Sequence, residues 1–235
     1  MENKTELDRA DIEIRVVGTP DASRVASLLG DCFQDDPGIR YMLRTPQARA
    51  RWLDAFFRAT AEVALSGGLV LGVWARPAGS NQDRPDDLAG VALWYPENRR
   101  FPPPWYRTIL PGLRVLPLVL EPSVQSRYTW LRRFYLRLMP KGRRYWYLAA
   151  LAVRLDYRHQ GIGTTLVRDG MSRASREESP VFLHSWPTLL SFYRRLGFSP
   201  VVEGSLKGIP DVCVGLLFRP DPEEPQEGGP ALAAW

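Results

Sequence analysis

The run Arg158-His159-Gln160-Gly161-Ile162-Gly163 has the residue types and spacing of an anion cradle. Its glycines let the backbone come close to a ligand, and the helical pattern that starts directly behind them aims free amide N–H groups and a helix dipole at the same point. A pyrophosphate suits such a site. A dinucleotide-binding turn would need a third glycine where Leu166 stands and an acid closing the following strand, and a nucleoside triphosphate loop would need Gly-Lys-Ser/Thr; both are missing. Further on, Tyr193 sits in Ser191-Phe-Tyr-Arg-Arg-Leu-Gly-Phe198 at helical spacing from Leu189 and Leu196. That position suits a core ring, and it also suits a phenol that donates a proton.

These residues need elements to hold them. Ile12, Ile14 and Val16 alternate with charged residues and predict a first strand; Thr19-Pro20-Asp21 then opens a helix through Val25, Leu28, Leu29 and Cys32. Residues 34–38 break it, and Thr45-Pro46 opens a second helix carrying Trp52, Phe56 and Val63. Runs at 69–75 and 88–95 read as two antiparallel strands around a polar loop. Residues 96–144 are rich in proline, aromatics and arginine and read as a helical insertion bordering an acceptor site. After it come a near-continuous apolar strand at 145–153, a helix at 161–176, a strand at 181–184, a short helix at 188–196 and a final strand pair at 200–206 and 212–218. The tail 221–235 is too poor in apolar residues to pack and reads as disordered, which leaves one domain over 1–220.

The stretch YWYLAALAVRLDYRHQGIGTTLV, followed by SFYRRLGF, resembles the two signatures of the GCN5-related N-acetyltransferase (GNAT) superfamily, and the pattern looks most like the branch that contains puromycin N-acetyltransferase. The resemblance implies an α/β (α+β) domain with a central, mostly antiparallel mixed sheet, splayed at the cofactor strand and flanked by helices. It implies acetyl-CoA as cosubstrate and direct transfer to a primary amine. Leu151, Ala152 and Val153 would pair with pantetheine, while Arg158, His159, Gln160, Gly161, Ile162, Gly163 and Thr164 would hold the pyrophosphate. Tyr193 would protonate the departing thiolate. The chain departs from the pattern at Trp186-Pro187, where many members carry an asparagine, and in the strand 145–153, which has no carboxylate. A general base must then come from elsewhere, with His184, Asp35, Asp36 and Glu97 as candidates. For the acceptor, an amine of a small, antibiotic-like molecule is the expectation, packed on Asp35, Trp94, Trp105 and Tyr106 with Tyr95, Phe101 and Trp146 nearby. A peptide amine and a non-catalytic CoA-binding module are the alternatives.

Composition narrows the rest. The 235 residues are 45% hydrophobic and 24% charged, enough to bury one sizeable core. A net charge of +5 and a pI near 9.4 suit an anionic ligand. The basic run 127–144 reads as a solvated helix face, so nucleic acid is not expected as a partner. Cys32 and Cys213 lack zinc or disulfide spacing, there are two histidines in all, and no metal is expected. No apolar stretch is long enough to span a bilayer and the N-terminus is too acidic for a signal peptide; these point to a cytoplasmic monomer or homodimer that uses no membrane.

Overall fold

Alternation along the strands sorts their side chains onto two faces, and the whole chain follows from covering both. The computed structural model describes residues 13–75, 87–97, 121–142 and 144–220. Its strands are β1 (Ile14–Val16), β2 (Leu69–Ala75), β3 (Asp87–Tyr95), β4 (Trp146–Val153), β5 (Val181–Ser185), β6 (Ser199–Gly204) and β7 (Cys213–Phe218). They form a single sheet in the order β1-β2-β3-β4-β5-β7-β6. Every neighbouring pair is antiparallel except β4 and β5. Parallel neighbours need a crossover, and α5 (Ile162–Arg176) supplies it.

One face packs Val91, Leu93, Tyr95, Tyr147 and Phe182 against α1 (Ala22–Phe33), α2 (Pro37–Met42), α3 (Pro46–Gly67) and α4 (Pro122–Leu138). The other packs Leu71, Val73, Trp94, Trp146 and Leu183 against α5 and α6 (Leu190–Arg195). Trp94 is fully enclosed there. A Cβ added at Gly170 would lie 2.2 Å from its ring, so α5 rides on the indole where a glycine lets it come close.

The helix starts are written locally. Thr45 Oγ1 accepts from Ala48 N at 3.1 Å with Pro46 in the first turn of α3. The segment after α1, expected as an open loop, instead starts α2. Asp36 Oδ1 accepts from Gly38 N and Ile39 N at 2.8 and 3.1 Å, with Pro37 at the first helical position. Asp-Pro-Gly thus acts as cap plus first turn where a turn alone was expected. Within the expected insertion, α4 lies on α2 and on the last strand pair: Arg127 Nε donates to Met42 O at 3.0 Å, and Leu138 and Phe134 pack on Gly204. Trp105, Tyr106 and Phe101 of that insertion, and the tail 221–235, lie outside the described residues. Among the described residues no helix is long and apolar enough to cross a membrane.

Candidate active site

A bulge in β4 sets up the site. Leu93 of β3 pairs with Ala150 and Trp94 with Leu148, which leaves Ala149 as an extra residue. Before the bulge, Trp146 N donates to Pro180 O at 2.8 Å, on the β5 side. After it, Arg154 N donates to Ala89 O at 2.9 Å, on the β3 side. Alternation from Arg154 back through Ala152 and Ala150 then points the N–H and C=O of Leu151 and Val153 away from β3. Nothing in β5 meets them, because β4 and β5 pair over Trp146–Leu148 and Val181–Leu183 and then diverge. The outward turn of Val153 is visible in its carbonyl, which accepts from Arg158 Nε at 3.1 Å and from Cys32 Sγ at 3.3 Å.

The fork leads straight into the glycine loop. Arg154 anchors it, bonded to Asp87 at 2.9 Å and to Asp156 at 2.6 Å, with its guanidinium 4.7 Å over the Tyr157 ring. These partners hold the Arg154 guanidinium above its ordinary pKa and Asp156 below the usual carboxylate range. After the short turn Leu155–Tyr157, His159 and Gly161 both take left-handed backbone, at φ 64° and 86°. Gly161 is the N-cap of α5 with no side-chain cap of its own. The first helical bond runs from Thr165 N to Gly161 O at 2.9 Å, so the amides of Ile162, Gly163 and Thr164 face out of the helix end. Added at Gly163, a Cβ would touch Leu151, Val153 and Phe192 at 3.6 to 3.8 Å, which places the loop, the free edge and α6 in one spot.

Tyr193 lies in α6 directly after Phe192, buried, with ring centroids 4.9 Å from Phe192 and 5.8 Å from Phe198. Burial pushes its phenol well above the ordinary range. It therefore keeps its proton at any working pH, as a donor must. Full transfer of a proton from so weak an acid is uphill, so a phenol in this setting suits a hydrogen bond that strengthens as charge develops on its acceptor.

Across the sheet the other expected residues separate. Asp36 spends one oxygen capping α2 and the other accepting from Trp186 Nε1 at 3.0 Å, which makes it a fastener between α2 and the end of β5. Burial raises its carboxyl pKa. Asp35 is exposed beside it, and Glu97 accepts loosely from Arg144 at 3.5 Å. Trp94, expected against the acceptor, is instead core beneath α5, because the pleat turns it to the face opposite Tyr95 and Tyr147. His184 stands at the fork with Tyr147, Tyr135 and Phe182 around it at centroid distances of 5.8, 5.3 and 4.9 Å. Tyr135 and Tyr147 had no chemical reading from sequence. The period-2 spacing of Tyr145 and Tyr147 was the available signal for the second.

Comparison with known proteins matches this geometry to a family. The profile described as an acetyltransferase (GNAT) domain fits residues 131–200, from α4 into β6. Over that segment the chain is similar to GNAT acetyltransferases. Acetyl-CoA is the acyl donor of this domain type, and the residues present fit it: outward amides at Leu151 and Val153 for an amide-bearing arm, and the bare start of α5 for a pyrophosphate. Among the described residues no cluster could hold a metal ion. The GNAT fold extends over nearly the whole chain. A structure described as histone acetyltransferase HPA2 and related acetyltransferase, from Corynebacterium glutamicum, has 20% identity and a TM-score of 0.65, with 90% of this chain and 97% of that one covered. An N-acetyltransferase from Staphylococcus aureus Mu50 has 16% identity and a TM-score of 0.51, covering 87% and 99%. No curated protein matches the sequence.

Proposed function

We propose that the protein moves the acetyl group of acetyl-CoA to the primary amine of a small molecule, by direct attack within a ternary complex. The observation that carries this reading is the bulge-driven fork, whose free edge at Leu151 and Val153 leads to the outward amides of Ile162, Gly163 and Thr164. Pantetheine would lie along that edge as an added strand, and one of its N–H groups would receive the carbonyl oxygen as it becomes an oxyanion. Arg158 and the left-handed backbone at His159 and Gly161 shape the phosphate end, and Tyr193 hydrogen-bonds the departing sulfur. Two substrates held side by side need no covalent enzyme intermediate. Cys32, the thiol beside Val153, supports this, because burial raises its pKa and so weakens it as a nucleophile.

A small acceptor is favoured over an extended peptide by what lines the fork on the far face. Tyr135, Tyr147, Phe182, His184 and Trp186 enclose it with rings, which suits a compact aromatic or amphiphilic amine. Free-thiol release from acetyl-CoA, measured across aryl-alkyl amines, aminoglycoside- and nucleoside-type amines and short peptides, tests the reading. Turnover should be confined to small amines; thiol release with peptides alone, or with no amine at all, would refute it.

A further inference from the structure

In the reaction just proposed, sulfur gains a proton and nitrogen must lose one, yet β4 offers no carboxylate to take it. Asp36 has both oxygens engaged, and Asp35 is exposed on the turn after α1. His184 is placed differently. It is the first residue of β5 beyond Leu183, the last to pair with β4, so it stands in the crotch of the fork. It shares the face of Tyr147 and Phe182, opposite the face that carries Tyr193. Its Nδ1 lies 3.2 Å from the Tyr147 hydroxyl. Its Nε2 is closed off from solvent and has no hydrogen-bond partner. A buried ring nitrogen left this way is costly unless a ligand completes it.

An amine brings N–H groups, and what N–H groups seek is a bare lone pair. Building on the transfer reaction above, we infer that Nε2 of His184 receives the proton of the attacking amine, while Tyr147 holds the ring in register through an Nδ1–H to hydroxyl-oxygen hydrogen bond. The amine nitrogen forms its bond to the thioester carbon and the C–S bond breaks. One proton passes from nitrogen to Nε2, sulfur leaves as a thiolate held by the Tyr193 hydroxyl, and as the products depart the imidazolium gives its proton to solvent and the thiolate takes one from it. The products are the amide and CoA thiol, with no net change in the protein. Tyr147 is a positioning residue in this scheme.

The surroundings keep the imidazole ready. Burial draws its pKa down to about 4, so the ring is neutral when the amine arrives. Facing it are Tyr147 from β4 and Tyr135 from α4, with Cys213 from β7 close to both tyrosines; all three are pushed up by burial and stay uncharged near neutrality. Asp36, at the start of α2, is the acid felt by Tyr135 and Cys213, and it is tied to the same corner through Trp186.

The test compares wild type, His184→Gln and Tyr147→Phe on two acceptors, benzylamine, which is protonated at neutral pH, and phenylhydrazine, which is not. Melting shifts with CoA first establish that each variant folds and keeps the cofactor site. His184→Gln should then lose about 10²- to 10³-fold in kcat/KM on both acceptors, since each nitrogen gives up one proton on attack once benzylammonium has lost its extra proton to solvent, with Tyr147→Phe losing less. A loss of less than about tenfold on both acceptors overturns the inference. If wild type binds CoA and acetylates no amine, the transfer reading itself falls, and the base assignment is judged separately by ¹⁵N spectra of the imidazoles. The chain has two histidines, so His184→Gln assigns the signals. A protonated Nδ1 and bare Nε2 support the inference, and a proton on Nε2 refutes it.

Discussion

Tyr193 lies in an apolar setting that changes how a phenol can help. Packed between Phe192 and Phe198, with its pKa forced upward, it is a poor acid and a sound hydrogen-bond donor. Tyr193→Phe keeps the ring contacts and removes the donor, so kcat should fall about 10²- to 10³-fold with little change in the CoA-induced melting shift. An unchanged kcat with chemistry rate-limiting would make Tyr193 a packing residue. His184 gives a prediction of a different kind. Its pKa falls from an ordinary 6.5 to about 4 on burial, so the unfolded chain binds its proton more readily across that window. The stability it supports is present above pH 6.5 and is lost as pH falls toward 4, by about 3 kcal/mol in all. Asp36 acts with the opposite sign, since its raised carboxyl holds a proton more tightly when folded. Urea unfolding of wild type against His184→Gln between pH 7 and 4 isolates the histidine's share. Parallel curves would show that its burial costs nothing.

At the level of elements, the loop before α5 depends on Gly161 for its backbone. A Cβ there would meet nothing within 4 Å, so the obstacle to substitution is the φ of 86° and not crowding in the protein. Gly161→Val should cost about 1–2 kcal/mol of stability, and Gly161→Asn clearly less, because asparagine tolerates the left-handed region. Both should weaken CoA binding, since either side chain projects beside the amides of Ile162 and Gly163. Calorimetric melting and CoA titration check the pair, and a Gly161→Val protein with full CoA affinity would remove the loop from the binding site. This loop was legible in the sequence because glycine spacing and a helix start are local signals. The bulge at Ala149 was not, for it depends on how β3 and β4 register, which Leu-Ala-Ala-Leu does not specify. The same holds for Trp94. One step of pleat separates lining a cleft from lying beneath α5, and an all-apolar strand carries no alternation from which to choose.

For the whole molecule, the mostly antiparallel sheet flanked by helices could be anticipated because five of the six neighbouring strand pairs are consecutive in sequence. Less legible was how Asp36, Trp186, His184, Tyr147 and Tyr135, far apart in sequence, close one corner around the fork. The brevity of the β4–β5 pairing, three residues long, bears on the mechanics of the sheet. β1 to β4 on one side and β5 to β7 on the other are stitched directly by that short ladder, with α5 as the strap over it. A seam of this length is where a sheet should breathe first. An extended ligand arm laid along β4 would lengthen it, so that CoA becomes a structural rivet between the two halves as well as a reactant. Hydrogen exchange should read this directly. The amides of Leu151 and Val153 should exchange far faster than those of β2 and β3 in the free protein, and CoA should slow both them and the end of β5. Halves joined in this way would be held most firmly while CoA is in place and would loosen again when it departs.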